Sequence, residues 1–504
     1  MVMVFAAGFA CGDWPQLQFD GANRGFSSGQ RIRTGVHADR TTSGGYGPES
    51  WGWTNRWLAG QPVVGNGKVI VGSMTNRVFA LDETSGVLVW STDVGAPVLN
   101  SCAVVDGRVV VATQGGTVWA LSAVDGETIW SVSFSRHGFA AAPTVVGGRI
   151  FVGAKDGRFH GIDLETGSVV WSFEVGGSED MGADRAAILC TAAVMDGRVF
   201  FGAENMHAYG LDTETGARIW RRGITGQSFV FGDPVGSNDE RAGITFAAGW
   251  AVASEQHGGV VIFRTQPIYA PPWLLDSEET FLEQATGTNW MGNPLGTTNE
   301  WIVEQRAISQ RLAGNPSRRT LWALEPATGE DKYSLPLPVL WTSGSGHAGT
   351  PPVVDDESGR AWVTLRTVYA RLDSGSIVRP YGDLVNLHLD FDPAIYTNPS
   401  AGRLGFEPFP CAAPPDCIAV YGDVHKVSDE GEVLTGCANA LISTTWVSDG
   451  GYDLESGQTF NVRYYSSDDL GGAPLYGAAA GAVLANGRVI LRDTTGIKSY
   501  AAEP

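Results

Sequence analysis

The chain has 504 residues, 67 of them glycine, with 43% apolar and only 17% charged residues. A formal charge of −20 and the absence of clustered Lys and Arg exclude nucleic acid as a partner, because binding a polyphosphate depends on basic clusters. No run of about 20 apolar residues is present to span a bilayer, yet the apolar content is enough to bury a large core.

Residues 1–11, MVMVFAAGFAC, are apolar and end on small residues before Cys11. They lack the basic start and the length of a full signal peptide. Two readings stay open. In one, Ala10-Cys11-Gly12 is the end of a bacterial lipoprotein export signal, which makes Cys11 the lipidation candidate and a lipid anchor to a membrane. In the other, the segment is an unstructured apolar tail. Residues 12–504 read as a single domain. Within them Ser50–Leu58, with Trp51, Trp53 and Trp57, is a strand candidate without a partner nearby.

An internal repeat then dominates. The first unit runs Gln61-Pro-Val-Val64, Asn66-Gly67, Lys68–Gly72, Arg77–Asp82, Thr84-Ser-Gly86 and Val87–Trp90. Units closing on Trp130, Trp171 and Trp220 follow, at intervals of 40, 41 and 49 residues, the length of one four-stranded blade. Asn-Gly, Asp-Gly and Gly-Gly pairs suit the positive φ angles of two-residue hairpins. The Asp before each Thr-Gly is placed to accept backbone N–H groups, and the closing Trp to bury a wide ring on the neighbouring blade.

An insertion at about 264–319 interrupts the fifth unit between its second and third strands. It carries Tyr269, Trp273, Trp290 and Trp301, and Trp273–Ala285 reads as a short helix. These aromatics either grip a partner or pack the insertion onto the domain. The fifth unit resumes at Ala323–Gly329, with Tyr333 in the place of Trp. The sixth contains Pro352-Val-Val354, Gly359-Arg360 and Leu372-Asp-Ser-Gly375. The seventh is weaker, over Leu387–Phe391, Cys417–Tyr421 and Asp429–Gly431. The eighth, from Ala482 to Tyr500, lacks a fourth strand. Segments near 221–243 and 440–472 read as connections between blades. The alternation Asn386, His388, Asp390, Asp392 puts four polar residues on one strand face. His388, Asp390 and Asp392 there are either weak metal-ligand candidates or a solvated polar face. Cys411 and Cys417 flank a short loop that an oxidising compartment would allow to close as a disulfide.

The run Ala80–Trp90 resembles the tryptophan-docking motif of the PQQ-like, quinoprotein-type propeller family. Trp90, Trp130, Trp171 and Trp220 take the structural docking role. Gly12-Asp-Trp-Pro-Gln16 with Gly21-Ala-Asn-Arg24 is similar to the family's opening. The resemblance implies an all-β, eight-bladed propeller of four-stranded antiparallel blades, with the strand near 50–58 completing the last one; seven blades is the nearest alternative. It brings no activity with it. Quinone-dependent members have an adjacent cysteine pair beside PQQ and calcium ligands, whereas the cysteines here lie at least six positions apart and no haem-attachment motif is present. Non-catalytic members include the scaffold lipoprotein of the outer-membrane assembly machinery.

The expectation is therefore an exported, monomeric scaffold in the periplasm or on the outer membrane. It is expected to bind a protein or peptide on its loop-elaborated face, with no cofactor. The alternative is a divergent PQQ- and calcium-dependent dehydrogenase.

Overall fold

The computed structural model describes residues 13–31 (except 14 and 18), 49–134 (except 56), 137–175, 187–224 (except 204 and 206), 244–245, 251–267 (except 256, 257 and 265), 313–314 and 321–333. Beyond these it describes 353–356, 360–367, 372–373, 376–377, 381–388, 406–408, 432–438, 440–444, 448–453, 459–464, 482–492 and 496–501. Among the described residues the elements are β-strands, apart from a helical pair at 313–314.

Four consecutive four-stranded antiparallel sheets hold the clear repeats, and the first is typical: Leu58–Gly65, Lys68–Ser73, Arg77–Asp82 and Leu88–Asp93 pair in chain order. The second sheet spans Ala103–Ser133, the third Thr144–Glu174 and the fourth Ala193–Gly223. Asn66-Gly67 and Asp106-Gly107 make the tight first turns with φ of 54° and 69°, and 50° and 72°. A Gly at the second position meets that demand without strain. The second strands are continuous apolar runs, such as Val69-Ile70-Val71, because both faces of the sheet are covered.

A three-stranded sheet follows (Ala251–Ser254, Val260–Arg264, Leu321–Leu324), so the long insertion leaves the second strand and rejoins at the third. Next come a four-stranded sheet starting at Val353–Asp355 and a five-stranded one whose antiparallel part spans Glu432–Tyr464. In the last sheet Glu49–Thr54 pairs antiparallel with Gly496–Ala501, supplying the strand the repeat there lacks. First strands touch side by side from the first sheet to the fifth and from the sixth to the last, and that of the last sheet touches that of the first, as in a β-propeller.

Three sequence expectations are corrected. Leu387 belongs to Tyr381–His388, the third strand of the sixth sheet, and not to the seventh; all eight residues of that strand register against Arg360–Thr367. Leu372-Asp373 pairs, among the described residues, with Ser376-Ile377 alone, as a small separate hairpin. Most of 440–472 is not a connection, because Ala440–Thr444, Ser448–Asp453 and Thr459–Tyr464 are strands of the seventh sheet. The Gly450-Gly451 pair inside the middle strand broke the apolar alternation by which a strand is read.

Candidate functional site

Among the described residues, five junctions between sheets are closed by an indole. Trp90 donates its ring N–H to the Ala123 carbonyl (3.3 Å), Trp130 to Leu164 (3.0 Å), Trp171 to Thr213 (2.9 Å) and Trp220 to Pro326 (2.8 Å). Trp51, on the strand that completes the last sheet, does the same to Glu83 of the first (2.9 Å). The rings need glycine to land on. A Cβ on Gly216 would lie 2.5 Å from Trp171, and one on Gly161, its cross-strand partner, 2.4 Å away. Beside the landing points, the Asp82, Asp163 and Asp212 carboxylates accept from Ser85, Thr166 and Thr215, whose hydroxyls stand at 2.7 Å. Those hydroxyl bonds, helped by the backbone N–H of the same residues, hold the three carboxyls below the usual carboxylate range.

The channel wall is finished by residues 15–30. The carbonyls of Pro15, Gly21, Ala22, Arg24 and Gln30 accept the N–H groups of Val104, Val194, Ala253, Val354 and Ala438, at 2.6–3.1 Å. Gln16 replaces a backbone partner for the third sheet, its Oε1 accepting from Val145 N–H at 3.0 Å. Phe26-Ser27 lies parallel to Gly436-Cys437. First strands are sheet edges with unpaired backbone groups, and this strap satisfies them sheet by sheet. The amides it meets lie within a few residues of the first hairpin turns, so the strap occupies that end of the channel.

Asn23, 1% exposed and at φ 58°, clamps two sheets by donating Nδ2 to the carbonyls of Ala192 (2.9 Å) and Ala251 (2.8 Å). Arg24 joins Asp20 (Nε–Oδ2, 2.5 Å) to Asp356 (Nη1–Oδ2, 2.6 Å), and Ser254 Oγ donates to the other Asp356 oxygen at 2.5 Å. Burial alone would lower the Arg24 pKa, but Asp20 and Asp356 outweigh it and raise it. Replacing Arg24 by Met leaves two carboxylates facing each other, each only about a fifth exposed. We expect a loss of about 2 kcal/mol in urea melts at pH 7, reduced from the fully buried case by the remaining solvent.

The opposite end of the channel receives the second-to-third-strand turns and the connections between sheets, by the parity of antiparallel strands. Trp57 (64% exposed) and Met74 (44% exposed) stand there side by side, with Met74 N–H donating to the Trp57 carbonyl at 2.8 Å. Of the residues singled out from sequence, Cys11, Tyr269, Trp273, Trp290, Trp301, Asp390, Asp392, Cys411 and Cys417 lie outside the described residues. His388 ends a described strand, whose side chains are not placed. Among the described residues no three His, Cys, Asp or Glu side chains converge as cation ligands. Sequence reasoning missed Trp51 as a docking residue and missed Asn23, Arg24, Ser254 and Asp356. The one signal, for Asn23 and Arg24, was the similarity of residues 12–24 to the family's opening.

The profile of the outer membrane protein assembly factor BamB family matches residues 46–138 and 102–334, more than half the chain. The chain belongs to that family. No curated protein matches it. Among solved structures, the quinohemoprotein alcohol dehydrogenase of Comamonas testosteroni is similar over 97% of this chain and 77% of its own, at 15% identity and a TM-score of 0.55. The enzyme ADHIIG of Pseudomonas putida HK5 gives 96%, 76%, 15% and 0.55. BamB from Moraxella catarrhalis covers 86% of this chain and 80% of its own at 14% identity, with a TM-score of 0.37. At such identities the dehydrogenase likeness speaks for the propeller fold alone.

Proposed function

We propose that the protein is a non-catalytic scaffold of the cell envelope that binds a protein partner on the end of the propeller opposite the strap. The observation that carries this reading is the exposed Trp57–Met74 pair on that end. Large apolar side chains of these types, left in water, are the usual anchors of a protein interface. The insertion opens at the same end, and the family's name describes an assembly factor. The reading leaves out a quinone because the cysteines of the chain lie at least six positions apart, where quinone-dependent relatives have an adjacent pair. Cys102, Cys190 and Cys437 are buried singly on the second, fourth and seventh sheets, and burial pushes the Cys102 and Cys190 thiols up to about 12.

The test is a photo-crosslinking amino acid placed at Trp57 and, as a control on the opposite end, at Val124, which is 68% exposed. A discrete adduct with an envelope protein from position 57 and none from 124 is the expected result. Absence of the adduct overturns the proposal. So does tight, calcium-dependent binding of pyrroloquinoline quinone in calorimetry together with dye-linked oxidation of an alcohol.

A further inference from the structure

The strap makes little structure of its own. Its internal backbone bonds are isolated turns, Gln16 to Phe19, Asp20 to Asn23 and Ser27 to Gln30. The second to sixth sheets form their ladders without it, and only the two-residue pairing with Gly436-Cys437 adds it to a sheet. It is nevertheless largely buried: Gln16, Asn23, Phe26, Ser27 and Gln30 are each under a tenth exposed. That is how a peptide ligand is held, by main-chain bonds for affinity and a few side chains for register.

We propose that residues 15–30 are a self-peptide seated in a peptide-binding groove on the channel wall, and that they open as one unit while the sheets stay folded. The groove is written by the amides of Val104, Val194, Ala253, Val354 and Ala438, by the carbonyls of Ala192 and Ala251, and by the Asp356 carboxylate. Its ligand class is a turn-containing peptide with Asn, in the left-handed conformation, followed by Arg, the first reading two carbonyls and the second one carboxylate. Gln30 is the weak point: both polar atoms of its buried side chain lack a hydrogen-bond partner, so the strap's final turn is held less firmly than its middle. Opening at that end frees the seventh sheet first, and the segment then leaves because each remaining sheet holds it by too few bonds to keep it alone.

Site-resolved hydrogen exchange on the full chain tests this. The five groove amides should exchange at a common rate, faster than the ladder amides of 108–112 and 149–153. Asn23→Ala, which removes two bonds worth about a factor of ten together, should speed all five by at least about tenfold and leave the ladders unchanged. Arg24→Gln should act in the same direction, so a folding defect peculiar to one variant does not decide the matter. Unrelated rates among the five, or exchange only together with the ladders, overturn the proposal. In a second arm, a labelled synthetic peptide of residues 13–31 should bind full-length Asn23→Ala at least about tenfold more tightly than wild type. The same peptide with Ala at 23 and 24 should lose that binding. Equal binding of both peptides, or none, overturns the groove.

Discussion

Trp171→Ala should lower stability by about 4 kcal/mol, read as a shift of the urea midpoint at unchanged slope. The indole is 8% exposed, lies between Gly161 and Gly216, and is flanked by Phe151 and Phe159 with ring centroids 6.0 and 6.2 Å away. The Gly161 and Gly216 walls are backbone on two different sheets and cannot close the space it leaves. Truncation therefore costs the transfer of a large ring and the cavity as well. Trp171→Phe separates the two contributions. It keeps most of the ring but abandons the buried Thr213 carbonyl, and about 2 kcal/mol is expected. Trp130 is less buried than Trp171, so Trp130→Ala should cost visibly less. A cost under about 1 kcal/mol for Trp171→Ala would show that the sheets are held together by something other than these contacts.

The second large effect is one of pH. His160 is 4% exposed on the third strand of the third sheet, with Phe134 and Phe139 ring centroids at 5.2 and 6.4 Å. One ring nitrogen, Nδ1, meets Ser172 Oγ at 2.8 Å, and the other, Nε2, is buried without a partner. Burial lowers the imidazole pKa to about 4, with Asp156 pulling it up and Arg158 pushing it down by smaller amounts. The unfolded chain titrates near 6.5, so between about 6.5 and 4 it binds more protons than the folded one. Stability is complete above the unfolded value, falls as the pH drops through that window, and levels off below it. The total is about 3 kcal/mol. His160→Phe should match wild type to within about 1 kcal/mol at pH 7.5, where the lost Ser172 bond is offset by removal of the unmet nitrogen. At pH 4.5 it should be more stable by about 2 kcal/mol. The depressed Asp82, Asp163 and Asp212 carboxyls lose stability as pH falls through their own lower values, in both proteins alike, so subtracting the two curves isolates the histidine. Identical slopes would mean that His160 binds protons alike in the folded and unfolded chains, so that burial does not shift it.

The four clear blades were legible because their landmarks are side chains that recur: an Asp (Ser122 in the second), a Ser-Gly, Asp-Gly or Thr-Gly turn, and a Trp four positions after the Gly. The sixth and seventh sheets lack that triplet. Boundaries there had to come from apolar alternation, which Gly450-Gly451 erased, and Leu387 was placed one sheet too late. The strap was less legible still. Its grip is made by backbone carbonyls of Pro15, Gly21, Ala22, Arg24 and Gln30, and a carbonyl carries no residue signature. Asn23 was visible as a residue but its clamp was not, since that depends on two carbonyls 169 and 228 positions away. On the end opposite the strap, Trp57 was within reach of sequence reasoning but read as part of a strand. Only the fold showed it standing in solvent beside Met74.

The pairing of Glu49–Thr54 with Gly496–Ala501 has a consequence for the chain while it is being made. About 450 residues separate the two strands, so at roughly 5–20 residues per second a ribosome needs on the order of 20–90 s to deliver the second after the first. Throughout that interval Trp51 and Trp53 belong to a strand with nothing to pair with, while the intervening sheets form early from local hairpins. A nascent chain of this design therefore carries one sticky, tryptophan-bearing edge through most of its synthesis, and a holdase that shields residues 49–54 is the assistance it most needs.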